Sequence, residues 1–125
     1  MALETMEPNP VWASDAYADT VDTLAERRGL VYKVWGGDWC KDCRAQLPDF
    51  GAALEEAGIP EENVVHQELD EQKQGQGVEE YGIEFIPTVV VEHRGEEVAR
   101  FVEEEPVSIA AYLAERIAEA PIADD

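Results

Sequence analysis

Both cysteines of the 125-residue chain stand in Trp39-Cys40-Lys41-Asp42-Cys43, separated by two residues. A disulfide that stabilises a fold closes a long loop, whereas this one would close a ring of four residues and take little entropy from the unfolded chain. The pair therefore reads as half of a metal site or a thiol–disulfide couple, against the inert alternative of two small buried hydrophobes. A metal would need two further soft ligands, and the candidates, His66 and His93, are 93 − 66 = 27 positions apart instead of the roughly 3–5 of a zinc finger. Inert burial is opposed by Asp42 between the cysteines and by Gly36, Gly37 and Asp38, which mark an exposed turn. Thiol exchange is the favoured chemistry, with the Cys40–Cys43 disulfide as its redox group and no metal or organic cofactor.

The physics of the spacing favours unequal sulfurs. If a helix begins at Cys40, that sulfur faces unsatisfied backbone N–H groups and the positive end of the helix dipole, which stabilise a thiolate, while Cys43 lies one turn in and is more enclosed. An ordinary thiol with a pKa of roughly 8.5 is only about 3% ionised at pH 7, and a value near 7 raises this to about half. Lys41 and Arg44 push the same way; Asp42 and the acidic surroundings push back. Cys40 is expected to attack and Cys43 to resolve the mixed disulfide.

The elements that must hold these residues follow from periodicity and turn residues. Ser14 offers an N-cap to a helix carrying Tyr17, Val21 and Leu24 and stopping near Gly29. Leu30 to Trp35 reads as a mostly buried strand, broken by Gly36-Gly37. A helix from Cys40 to about Ala57 has Leu47, Phe50 and Leu54 on one stripe, Pro48 as a kink, and Gly58 and Pro60 as stops. Asn63 to Leu69 is a second strand, Glu71 to Gly77 a polar loop, and Val78 to Tyr81 a short helix closed by Gly82. Thr88 to Glu92 and Glu97 to Phe101 flank His93-Arg94-Gly95-Glu96 as a hairpin; Ser108, Ile109, Tyr112, Leu113 and Ile117 mark a last amphipathic helix. The order α-β-α-β-α-β-β-α predicts parallel pairing through right-handed crossovers, an antiparallel final hairpin, and helices on both faces of a mixed sheet.

Nine Lys and Arg against 29 Asp and Glu leave a net charge of −20, and 45% of residues are hydrophobic, too many for a disordered acidic chain. The length suits one domain. Neither a membrane-spanning run nor a signal-like start is present in the sequence, which points to the cytosol. The charge disfavours nucleic acid and anionic membrane surfaces as partners. Because the acids run from Glu4 to Asp125, the favoured reading is a halophile's protein adapted to concentrated salt; the alternatives are an ordinary acidic protein and a docking face for a basic partner.

From Ser14 to Ala120 the chain resembles the thioredoxin family, on three motifs in register. Trp39-Cys40-Lys41-Asp42-Cys43 is similar to the family's Trp-Cys-x-x-Cys site, Pro48 to the kink proline of the active-site helix, and Tyr81-Gly82-Ile83-Glu84-Phe85-Ile86-Pro87-Thr88 to the stretch ending in Ile-Pro-Thr. The resemblance implies a thioredoxin-like three-layer α/β/α sandwich with a central mixed sheet of four to five strands. It divides the chain into an N-terminal extension (1–13), the domain (14–120) and an acidic tail (121–125), the extension being too short and proline-rich for the family's usual first strand. It further implies a cis Ile86–Pro87 bond facing the Cys40 sulfur, Cys40 and Cys43 as the catalytic pair, and Trp39, Lys41, Asp42, Ile86, Pro87 and Thr88 as the substrate-binding set. Ile86 would pair through its backbone and Trp39 would supply a flat apolar contact.

The departures shape further expectations. The Lys-Asp spacer replaces the common Gly-Pro. The family's buried acid gives way to Val34 or Lys33, and its partner lysine falls on His66 or, one register over, Glu68, which makes His66 a candidate proton shuttle. A groove glycine corresponds to Glu103, within Glu103-Glu104-Glu105, which reads either as a preference for partners with basic residues beside their disulfide or as plain solvated surface acids. The implied activity is reduction of protein disulfides, with recharging by a thioredoxin-reductase-like enzyme or a small thiol. A dedicated electron donor to a single enzyme and a non-catalytic binding module are the alternatives.

Overall fold

The computed structural model describes residues 6–12, 14–26, 29–72, 74–102 and 107–119. β1 (Leu30–Gly36) is the interior strand that leads to the cysteines, and its neighbours are β2 (Val64–Glu68) on one side and β3 (Thr88–His93) on the other, with β4 (Glu96–Val102) beyond, in the order β2-β1-β3-β4. The expected turn chemistry closes the β3–β4 hairpin: His93 pairs with Glu96 across Arg94 and Gly95, both with positive φ, as the twist of a two-residue hairpin requires.

β1 and β2 run parallel, joined by α2 (Lys41–Glu56). The next connection departs from expectation, because β3 returns antiparallel to β1. A parallel crossover needs an element that runs back along the sheet, and α3 (Val78–Tyr81) is a single turn. The chain therefore leaves β2 and enters β3 at the same end of the sheet. That end is also where β1 hands over to the cysteine turn, since Trp35 pairs with both Gln67 and Thr88.

The period-2 alternation of the strands gives each face its own layer. Tyr32 and Val34 of β1 and Val89 and Val91 of β3 face α2, with Tyr32 packed edge-on against Phe50 at 6.2 Å. Phe101 of β4 meets Tyr112 of α4 (Ile109–Glu119) in the same way at 5.6 Å. α1 (Ala18–Glu26) packs on α4 and α2. The opposite face receives α3, whose Tyr81 ring lies 4.8 Å from that of Trp35. The expectation of helices on both faces is thus met unevenly: among the described residues, α1, α2 and α4 lie on one side and the single turn of α3 on the other. Within α2, Cys43, Leu47, Phe50 and Leu54 are buried at helical spacing, and the helix continues through Pro48.

At the N-terminus the predicted cap at Ser14 leads first into a tight turn over Ser14–Tyr17, and Tyr17 stacks on Trp12 at 5.2 Å instead of joining Leu24 in the core. The segment before it lies across α2. Asn9 donates its backbone N–H to the Pro48 carbonyl at 3.1 Å and its amide to Asp49 at 2.8 Å, and Met6 covers Gly51 so closely that a Cβ there would overlap the Met6 carbonyl. The expected tail, 121–125, lies outside the described residues. Among the described residues no helix is long and apolar enough to cross a membrane.

Candidate active site

β1 ends at Gly36, and Gly37 opens the turn that leads to α2. The Cys40 N–H donates to the Gly37 carbonyl at 3.0 Å, and Cys40 sits in extended backbone (φ −83°, ψ 123°) as the N-cap of α2. Its sulfur does the work of a capping oxygen, accepting the Cys43 N–H at 3.4 Å. Such an N–H interacts more strongly with a thiolate than with a thiol. Both cysteines are free thiols; Cys40 is partly exposed and Cys43 fully buried. Burial pushes the Cys43 thiol up to about 12, partly offset by the backbone N–H of Gly37 and reinforced by Cys40 and by the negative charge of Asp42.

Trp39 is folded back on this turn. Its indole N–H donates to the Leu69 carbonyl at 2.9 Å, and the Leu69 N–H donates to the Gly36 carbonyl at 2.8 Å, so the loop after β2 is tied to the cysteine turn. The ring remains 37% exposed. The Ile86–Pro87 peptide is cis, as expected, and both residues are buried. Thr88 is buried as well, its hydroxyl donating to the Phe85 carbonyl at 2.5 Å, which turns its side chain inward. Lys41 and Asp42 are exposed on the first turn of α2. The strand register brings the 37–40 turn, the start of the 69–77 loop and the 85–87 segment to one end of the sheet.

Two residues there escaped the sequence reading. Phe85, 47% exposed, adds apolar surface beside the buried proline; its place before Ile-Pro-Thr was the available signal. Gly37, read as a strand breaker, contacts the backbone or sulfur of both cysteines as well as the Trp39 ring.

The expected proton-handling residues divide between the two faces. Lys33 points to the α3 side, donating to the Tyr81 hydroxyl at 2.7 Å and lying 3.1 Å from Glu92; Tyr81 in turn donates to Glu92 at 2.6 Å. Val34 faces α2 and pairs with His66, so neither alternative for the missing acid is a carboxylate. His66 and Glu68 share the α2 face of β2, and burial lowers the His66 pKa. His66 lines a cavity of about 760 Å³ with Met6, Leu54, Ile59 and Val64, on the α2 side of β2. His93 pairs with Leu30 at the far end of β1, away from the cysteines, which removes it as a metal partner for them. Glu103 lies outside the described residues.

The sequence profile of the thioredoxin family matches residues 11–115. The chain belongs to the thioredoxin family. Solved structures agree on the thioredoxin fold. A malarial protein superposes with a TM-score of 0.56 at 16% identity, covering 76% of this chain and all of its own. A Fasciola hepatica thioredoxin gives 0.54 at 23% identity, with 85% and 93% covered. A mutant thioredoxin from Halobacterium salinarum gives 0.52 at 20% identity, with 100% and 99% covered. No curated protein sequence matches the chain. Thioredoxin-family membership together with the Cys-x-x-Cys pair supports thiol–disulfide oxidoreductase chemistry at the family level.

Proposed function

We propose that this thioredoxin-family protein reduces protein disulfides, with Cys40 as nucleophile and Cys43 as resolving thiol. One observation carries the reading: the reachable sulfur caps the helix and accepts an N–H, while its partner is buried one turn behind it. In the first step the Cys40 thiolate attacks a substrate sulfur, the substrate S–S bond breaks, a Cys40 mixed disulfide forms, and the leaving thiolate takes up a proton. Cys43 then gives up its proton and attacks Cys40; the mixed disulfide breaks, the Cys40–Cys43 disulfide forms, and the second substrate thiol departs. Two electrons and two protons pass to the substrate. A thioredoxin-reductase-like enzyme or a small thiol returns them.

Trp39, Lys41 and Asp42, with the chain at Ile86, Pro87 and Thr88, whose side chains are buried, are assigned to substrate binding, supported by the convergence of their segments at one sheet end. No metal or organic cofactor takes part in this scheme. The cytosol is the compartment that keeps such a dithiol reduced, and the charge of −20 supports a cell with concentrated internal salt. The test is reduction of a protein disulfide by the dithiol form in molar KCl, with Cys43→Ser used to trap partners. A Cys40→Ser variant that still reduces disulfides would overturn the assigned order of attack. One dominant trapped partner would point to a dedicated donor.

A further inference from the structure

Gly37 touches three parts of the site. Its carbonyl accepts the Cys40 amide at 3.0 Å, its N–H is directed at the Cys43 sulfur, and its bare Cα faces the Trp39 ring. A Cβ at this position would fall inside the envelope of the indole Nε1 and Cε2 and stand 3.0 Å from Cδ1. The backbone does not demand glycine here, since the positive-φ glycines are 29, 58, 77, 82 and 95. Space demands it, and the three nearest atoms all belong to the Trp39 side chain.

We propose that Gly37 is a positioning residue for substrate recognition: by carrying no side chain it seats the Trp39 indole across the cysteine turn, where the indole N–H reaches the Leu69 carbonyl and pins the following loop. The proposal rests on the protein-disulfide reading above. A free tryptophan would have to be ordered each time a substrate docked, at a cost that pre-seating removes. A methyl at 37 overlaps the indole and pushes the ring off the turn, away from its bond to Leu69; the atoms it meets first all belong to Trp39, so the first effect falls on that side chain.

The test is a double-mutant cycle on KM for a folded protein disulfide, with Gly37→Ala and Trp39→Ala singly and together. Gly37→Ala is expected to raise KM about fivefold, in line with the loss of one partly buried hydrogen bond, and to add nothing once Trp39 is already alanine. An unchanged KM, or an equal cost in the Trp39→Ala background, overturns the proposal, because the glycine would then be acting through backbone alone. A second readout needs no turnover: Gly37→Ala should increase acrylamide quenching of indole fluorescence, and the increase should vanish in a Trp39→Phe background. If the parent protein reduces no protein disulfide, the functional reading falls, while the fluorescence comparison still decides whether Gly37 seats Trp39.

Discussion

The backbone N–H of Cys43 points at the sulfur of Cys40 across 3.4 Å, while the Cys43 sulfur itself is wholly buried. In the order of attack proposed above, one residue thus supports the nucleophile with its amide and holds its own thiol in reserve. With that thiol pushed up to about 12, its ionised fraction grows tenfold for each pH unit through the neutral range. Resolution of a Cys40 mixed disulfide should therefore accelerate nearly tenfold per unit from about pH 6 to 9, measured as thiol release from a preformed conjugate. A rate that levels off below about pH 8 would mean that an unidentified base already deprotonates Cys43. Asp42→Asn, which removes a charge that raises this thiol, should quicken the same step.

The same burial makes the reduced protein sensitive to alkali. A thiol at about 12 when folded and near 9.0 when unfolded contributes stability that is complete below 9.0 and fades as pH climbs toward 12, because the unfolded chain gives up its proton first. Urea titrations between about pH 7 and 10.5 should show the reduced form losing stability faster than Cys43→Ala. Tyr32 adds a loss of the same sign, since burial raises its phenol too and its hydroxyl finds no partner among the described residues. Tyr32→Phe should for that reason be neutral or more stable by roughly 1 kcal/mol at pH 7, and a clear loss would reveal a partner for that hydroxyl.

What was legible in the sequence was local. The cysteine spacing, the helix stripe of Leu47, Phe50 and Leu54, the one-turn helix at Val78–Tyr81 and the Arg94-Gly95 turn are each encoded within a few residues, and each stands where expected. The antiparallel return of β3 was not visible, because periodicity reports which face a residue takes and not which way its strand runs. Contacts distant in sequence were equally hidden. Asn9 on Asp49, Trp39 on Leu69 and Lys33 on Tyr81 join positions 40, 30 and 48 residues apart, and no pattern of types announces such pairs.

Lys33, Tyr81 and Glu92 close a triangle on the α3 face, tying α3 to β1 and β3, while Arg100 of β4 donates to the Tyr81 carbonyl at 2.9 Å. Burial pushes the Glu92 carboxyl up, but the Tyr81 hydroxyl and the Lys33 ammonium outweigh it and hold the group below its usual 4.5. The sign follows: the stabilisation is present above pH 4.5 and is lost as pH falls through the lowered folded value. Glu92→Ala should cost about 1–3 kcal/mol at pH 7, and the gap between variant and parent should close on acidification. A gap of constant size down to about pH 3 would assign the loss to packing in place of charge.

Even if every one of the 9 cationic side chains met a carboxylate, 29 − 9 = 20 acids would remain without a cation. Several cations are already committed, Lys33 to Glu92 at 3.1 Å and Arg100 to Glu97 at 2.8 Å. The uncompensated acids repel across distances that salt controls, since the Debye length falls from about 30 Å at 0.01 M to about 3 Å at 1 M. The melting temperature should therefore rise with KCl, and most of the rise should come below about 0.5 M, where the screening length shrinks fastest. Exclusion of salt from the surface would instead keep adding stability at higher concentrations, so the shape of the curve separates the two causes. Equal melting temperatures at about 0.05 M and 2 M KCl would show that self-repulsion does not limit this fold.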